Sequence, residues 1–330
     1  MKYTDNALNI ITAKTFKGIG RAWINKNLRG NENVETIVTL LNSSSKNGLI
    51  TFDDFEFSKN QIIKQIETFE ESCDGLVALG DKNFPKYRGN VKESERPIFL
   101  FYKGDINLLD IENSIITVIG LLNPDEAIET REQKIVAEIV KRDVTIVSGL
   151  AFGCDSIAHK QALQGGKTVA VLPSPLNNIM PAKNKGLAFE IVEEGGLLIT
   201  EYYEEFKSSM ELNSRYSERD RLQALFCDAI ILAASYAQDS ANRWKIFDQK
   251  LDSGARLAMG YAKDYNIPQA VMYDPINDTT NPMFDLNRQL ISEQKDITIL
   301  TQKNLEEIIN KIKLKKPNNN NNGYQANLFS

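Results

Sequence analysis

Histidine occurs once in the 330 residues, tryptophan twice and cysteine three times. His159 stands alone, and Cys73, Cys154 and Cys227 are far apart. No Cys-x-x-Cys or His-x3-His zinc arrangement can be written from them, so neither a metal nor a cofactor is expected. One histidine also leaves no serine or cysteine nucleophile with its own base and orienting group. Three scattered cysteines read as reduced thiols in a cytoplasm. No stretch approaches the ~18 continuous apolar residues of a membrane span, and no membrane partner is expected. The opening MKYTDNALNIITAKTF lacks the apolar core of a secretory signal. Positive charge is not in excess. Lysine and arginine number 39 against 44 aspartates and glutamates, a net charge of −5. That excludes a chain coated in nucleic-acid-binding charge but leaves a local basic cleft open. What is present suits a globular protein: 42% hydrophobic residues allow a sizeable core, and the length allows two domains.

Residues 1–72 read as a small helical domain. LNIITAKTFKGIGRAWINKNL carries apolar residues at helical spacing on both sides of Gly18-Ile19-Gly20. It resembles one helix-hairpin-helix unit, whose glycine turn can face a phosphate; a plain turn between packing helices is the alternative. A further amphipathic helix is predicted over 58–72. From about residue 76 the pattern changes to short β-rich runs at 114–120, 144–149, 168–173, 196–202, 228–235 and 267–273. Most are continuously apolar, as in strands covered on both faces. Helical stretches such as 125–143 and 253–266 alternate with them. The expectation is an α/β fold with a doubly wound, mainly parallel sheet, whose ligands sit beyond the carboxyl ends of the strands.

The stretch SGLAFGCDSIAH, 148–159, follows the strand VTIV. Ser148 and Gly149 end that strand, and a helix is expected to begin near Ser156. Gly149 and Gly153 allow a group to approach the backbone, and a helix start offers free N–H groups. Together they would cradle a phosphate. Asp155 stands where an N-cap would be. His159, inside the next turn, reads as a packed, hydrogen-bonded residue more readily than a catalyst. Neither GxGxxG nor GxxxxGK[ST] occurs.

The segment SGLAFGCDSIAHKQALQGGKTVAVL resembles the signature of the DprA/Smf family of bacterial DNA-processing proteins. Further pieces follow in the family's order: GDKNFPKYRGN with RPIFLFYKG, EEGGLLITEY, YSERDRLQALFCDAIIL, DSGARLAMGYA and LNRQLISEQKDI. The resemblance implies a Rossmann-like core over 73–312. It implies a homodimer that binds single-stranded DNA and loads RecA in recombination and natural transformation, and not an enzyme. The phosphoribohydrolase motifs GGGxGxMG and PGGxGTxxE do not occur in the chain.

Carried onto this sequence, the DNA-binding set is Ser148, Gly149, Phe152, Gly153, Lys160, Lys183, Arg219, Arg221, Ser253 and Gly254. The chain departs from the family pattern at several of these places. Gly120-Leu121-Leu122 stands where the family has Gly-Ser-Arg, and Phe152 where it often has a lysine or arginine. Pro173 and Pro175 replace loop glycines, and Asp220 replaces the asparagine between two arginines. Phe152 could stack on a base, or simply pack. These changes open an alternative, a nucleotide-ligand sensor in defence or signalling built on the same fold. The tail over 313–330 is expected to be disordered, with the low-complexity stretch KKPNNNNNGYQANLFS at 315–330. Gln325, Leu328 and Phe329 form a QxxLF peptide similar to those that dock on the DNA polymerase sliding clamp; a frayed or folded-back end is the alternative.

Overall fold

The computed structural model describes residues 1–314 apart from 45–47, 69, 249–250, 252–253 and 302–303. Four helices come first: α1 (Asp5–Thr15), α2 (Arg21–Asn27), α3 (Val34–Ser44) and α4 (Phe52–Glu67). Thr4 caps α1 by accepting from the Ala7 N–H at 2.9 Å. α4 starts at Phe52, earlier than the helix read from residue 58, because Thr51 and Asp54 form a capping box that the apolar periodicity does not register. The Gly18-Ile19-Gly20 turn has Gly18 at φ +86° and Gly20 as the N-cap of α2.

The remainder alternates. β1 (Gly75–Ala78), β2 (Phe99–Gly104) and β3 (Ile115–Ile119) are followed by α5 (Glu126–Val140), β4 (Thr145–Ser148), α6 (Cys154–Ala162) and β5 (Thr168–Val171). Then come α7 (Lys185–Glu193), β6 (Leu197–Thr200), α8 (Ser209–Leu225), β7 (Ala229–Leu232), α9 (Ser240–Trp244) and α10 (Gly254–Asp264). β8 (Gln269–Met272), α11 (Asp285–Glu293), β9 (Thr298–Leu300) and α12 (Leu305–Leu314) complete the described chain. The strands form one sheet in the order β1-β2-β6-β5-β4-β3-β7-β8-β9. From β6 to β9 every neighbour is parallel; β1 and β2 join as antiparallel edge strands. The six predicted runs correspond to β3 through β8. β1, β2 and β9 were not read as strands: β9 spans only three residues and β2 drifts from buried to half-exposed along its length, whereas β1 is as long and as buried as β4 and was missed for neither reason.

The chain winds outward from β3 to β6, then crosses back through α8 to β7 on the other side of β3. This crossing makes a topological switch point beside β3 and β7, where open α/β sheets leave a crevice. α8 and α6 cover opposite faces. Thr117 donates to the Gln223 carbonyl of α8 at 2.6 Å, whereas Thr168, on the opposite face, meets His159 of α6 at 2.7 Å. The strand interiors are buried and apolar, and the sheet residues join the helices in two contiguous cores. Among the described residues no helix is long and apolar enough to cross a membrane.

Candidate nucleic-acid interface

A cleft of about 510 Å³ opens at the switch point. It is lined by Ile119 at the end of β3 and Gly120 after it, by Ala151, Phe152 and Asp155 after β4, by one face of α8, and by the start of α10. The α8 residues are Asn213, Tyr216, Ser217, Arg219, Asp220 and Gln223. Their spacing of three and four places them along one helix face.

The loop between β4 and α6 is built inward rather than toward a ligand. Gly153, not Asp155, is the N-cap of α6, and the helix begins at Cys154. Gly153 sits at φ +65°, and a Cβ there would lie 2.2 Å from the Leu121 carbonyl oxygen. That same carbonyl accepts the Cys154 N–H at 2.9 Å. Asp155 is the second helical residue, and its Oδ2 accepts from the N–H groups of Gly149 at 3.1 Å and Ala151 at 3.3 Å. The cradle expected to hold a phosphate is therefore occupied by the chain's own carboxylate and by Leu121. Ser148 is buried and donates to the Val118 carbonyl at 2.7 Å, so it holds β4 to β3 and does not line the cleft.

Gly149 has a different purpose from the one expected. Arg219 lies against it so closely that a Cβ on Gly149 would fall 1.3 Å from Nη1. The buried guanidinium is set between Asp155 (3.8 Å) and Asp220 (3.3 Å), with the Tyr216 ring 5.5 Å from its Cζ. Among the described residues, Nε and Nη1 of Arg219 make no hydrogen bond; neither does Nε2 of Gln223, whose side chain is also buried. Around the mouth stand Leu122, Phe152 and Leu257, each about two-fifths exposed at 38%, 39% and 40%. Of the described residues that line the cleft, Arg219 is the one cation against Asp155 and Asp220, a formal −1. A floor of this sign opposes a phosphate, while the apolar mouth favours a flat, uncharged group.

His159 is fully buried, as expected of a packed histidine, with Nδ1 2.7 Å from Thr168 Oγ1. Thr168 gives its own proton to the Ile146 carbonyl at 3.0 Å, so Nδ1 carries the hydrogen. Burial, aided by the charge of Arg219, pushes the imidazole pKa down to about 3, and the ring is neutral. Beneath the loop, burial pushes the Glu132 carboxyl well above the usual carboxylate range.

Several expected contacts lie elsewhere. Arg221 is wholly buried on a different side of α8, paired with Glu201 and 3.7 Å from Glu218. Arg21, at the start of α2, joins the same group, 2.5 Å from Glu218 and 3.7 Å from Glu201. Burial raises the Glu201 carboxyl, but Arg221 and Arg21 more than offset this and hold it below the usual range. Arg221 is thus a structural ion-pair partner, and its place two residues beyond Arg219 turns it about 200° around the helix from that side chain. Lys160 and Lys183 are exposed and do not line the cleft, although Pro181 does. Pro173 and Pro175 are buried and also stand outside it. Gly254 lines it; Ser253 and the peptide residues Gln325, Leu328 and Phe329 lie outside the described residues. Tyr216, Gln223 and Leu257 were not foreseen as site residues. The i, i+4 relation of Gln223 to Arg219 was the signal available for α8.

A cleft of this construction, at the switch point of a sheet with this strand order, agrees with the family comparison. The chain belongs to the DNA recombination-mediator protein A family, whose model matches residues 75–311. Protein Smf of Borreliella burgdorferi is 29% identical over 227 residues, 68% of this chain and 66% of that protein, so just under two-thirds of the relative's length is matched. The structure of DNA processing protein A from Streptococcus pneumoniae aligns with a TM-score of 0.66 at 22% identity, over 93% of this chain and 99% of the other. A DNA processing protein A from Helicobacter pylori, described for its single-stranded DNA binding mode, aligns with a TM-score of 0.53 at 24% identity, over 70% of this chain and 98% of the other. At these identities the two structures establish the Rossmann-like fold of the recombination-mediator family.

Proposed function

We propose that this family member binds single-stranded DNA across the cleft, takes one base inside, and delivers the strand to RecA. The observation that carries the reading is the cleft itself, with an apolar mouth of Leu122, Phe152 and Leu257 over a floor of buried hydrogen-bonding groups around Arg219. An aromatic and aliphatic mouth suits a base face, and base stacking sustains much of the affinity for single strands. The backbone phosphates then remain at the rim, near solvent, instead of entering a floor of net negative charge. The reading includes a homodimer, a helical unit over 1–72 distinct from the core over 73–312, and a tail peptide that docks on the sliding clamp.

Fluorescence anisotropy of a labelled single-stranded oligonucleotide at several salt concentrations tests it. Binding is expected, weakened by Phe152→Ala and by Arg219→Ala. With so little positive charge in the cleft, the slope of log K against log salt is expected to be shallower than about −2. Absence of binding at low salt refutes the DNA reading. A second reading, a sensor of a free nucleotide, is favoured by the cleft's size of about 510 Å³ and its apolar mouth of Leu122, Phe152 and Leu257, which suit a single base. A thermal shift with a mononucleotide and none with an oligonucleotide would establish it.

A further inference from the structure

We infer that the cleft reads the identity of the base it takes, and that its preference is guanine, set by Arg219, Gln223 and Asp220. The inference rests on the single-strand reading above. Its starting point is the hydrogen-bond inventory of the floor. Gln223 is 1% exposed, lines the cleft, and has an Nε2 that makes no hydrogen bond among the described residues. Arg219 is 5% exposed and lines the cleft beside it, with Nε and Nη1 in the same condition. A buried donor without an acceptor costs the fold its desolvation. Nε and Nη1 of Arg219 face Asp220 and Asp155 at 3.3 and 3.8 Å as ion pairs without hydrogen-bond geometry, so the unpaired Gln223 Nε2 beside an arginine held by charge alone favours a ligand rich in acceptors.

Two ligand classes offer acceptors at this density, a phosphate and a base edge. Asp155 and Asp220 also line the floor, and with Arg219 they leave it at a formal −1. A phosphate entering there meets two carboxylates; a neutral base does not. Among the bases, guanine presents two adjacent acceptors, O6 and N7, on one edge, the pattern an arginine reads most often. Its other edge carries the donors N1–H and N2–H₂, which carboxylates accept. Adenine sets an amino donor beside both N7 and N1, so it has no adjacent acceptor pair; cytosine has one, O2 and N3, but offers the two carboxylates a single donor group, its amino, where guanine offers two. Thymine separates its two carbonyls by an N–H. The residues responsible are distinctive in the sequence: Asp220 stands where the resembling family has asparagine, and Gln223 follows it by three positions on the same helix face.

The test uses the full-length protein and strands of about twelve nucleotides, all thymine except for a central guanine, adenine, cytosine or abasic site. Anisotropy at one fixed salt concentration is the readout. The guanine strand is expected to bind about tenfold more tightly than the adenine strand. The near-isosteric Gln223→Met is expected to narrow that ratio to about twofold, and Asp220→Asn to narrow it as well. The wild-type ratio decides the matter even if a variant folds poorly. Equal affinity for the guanine, adenine and abasic strands overturns the inference and leaves the single-strand reading intact. If no strand binds, that reading fails instead, and calorimetric titration with free guanosine and adenosine decides. Guanosine binding alone sustains the inference, while binding of neither, or of both equally, overturns it.

Discussion

Replacing Gly149 with alanine tests whether the loop after β4 is built to seat Arg219. The backbone of Gly149 lies outside the left-handed region, so alanine is conformationally acceptable and the effect is purely steric. The new Cβ would stand 1.3 Å from Nη1, 2.2 Å from Cζ and 2.5 Å from Nη2 of Arg219. Restoring an ordinary separation of roughly 3.5 Å moves the guanidinium by about 2 Å. A shift of that size takes it out of its place between Asp155 and Asp220, now 3.8 and 3.3 Å away. Overpacking of this kind costs about 1–3 kcal/mol of stability. Strand binding is expected to fall at least as far as in Arg219→Ala, read by anisotropy, with the stability loss read from urea unfolding. In the Arg219→Ala background the obstruction is gone, and Gly149→Ala is expected to add little to either measurement. Full additivity of the two changes, or a Gly149→Ala protein indistinguishable from the parent, would refute the argument.

Three further outcomes follow from the geometry. His159 stays neutral in the fold at a pKa of about 3 but protonates near 6.5 once unfolded. The unfolded chain therefore binds the extra proton below pH 6.5, and the stability this group contributes is complete above that value and declines toward pH 3. Between pH 7 and 5 the loss through His159 is about 2 kcal/mol, and urea unfolding of His159→Gln should lack this component of the slope. Arg221→Ala leaves Glu201 buried without its nearest partner and is expected to cost about 3–5 kcal/mol, with a smaller loss when Glu201→Gln accompanies it. Its effect on strand affinity, measured well below the unfolding midpoint, should be far smaller than that of Arg219→Ala. Gly153→Ala, at φ +65° and facing the Leu121 carbonyl, should destabilise more than an alanine at the open position Gly186.

The strand pattern, the loop glycines and the family were legible because each is written in neighbouring residues. Apolar runs of four to six mark buried parallel strands whatever packs on them, and β3 to β8 fall where those runs are. A strand of three residues is too short to show a period and a half-exposed one breaks the apolar run, which hid β9 and β2. The lysines at 160 and 183 looked like site residues because charge is visible in a sequence and direction is not.

By itself, then, the sequence determined the alternation of strand and helix, hence the doubly wound sheet and the end of it at which a ligand would sit. Which groups face that place depended on long-range packing. Asp155 and Leu121 take up the loop's N–H donors, Arg219 and Arg221 part company around α8, and Gln223 arrives on the cleft floor. The reason is that local pattern follows from a residue's near neighbours, whereas the partner of a buried charge is chosen by segments far off in the chain, 64 residues away for Asp155 and Arg219 and 20 for Glu201 and Arg221.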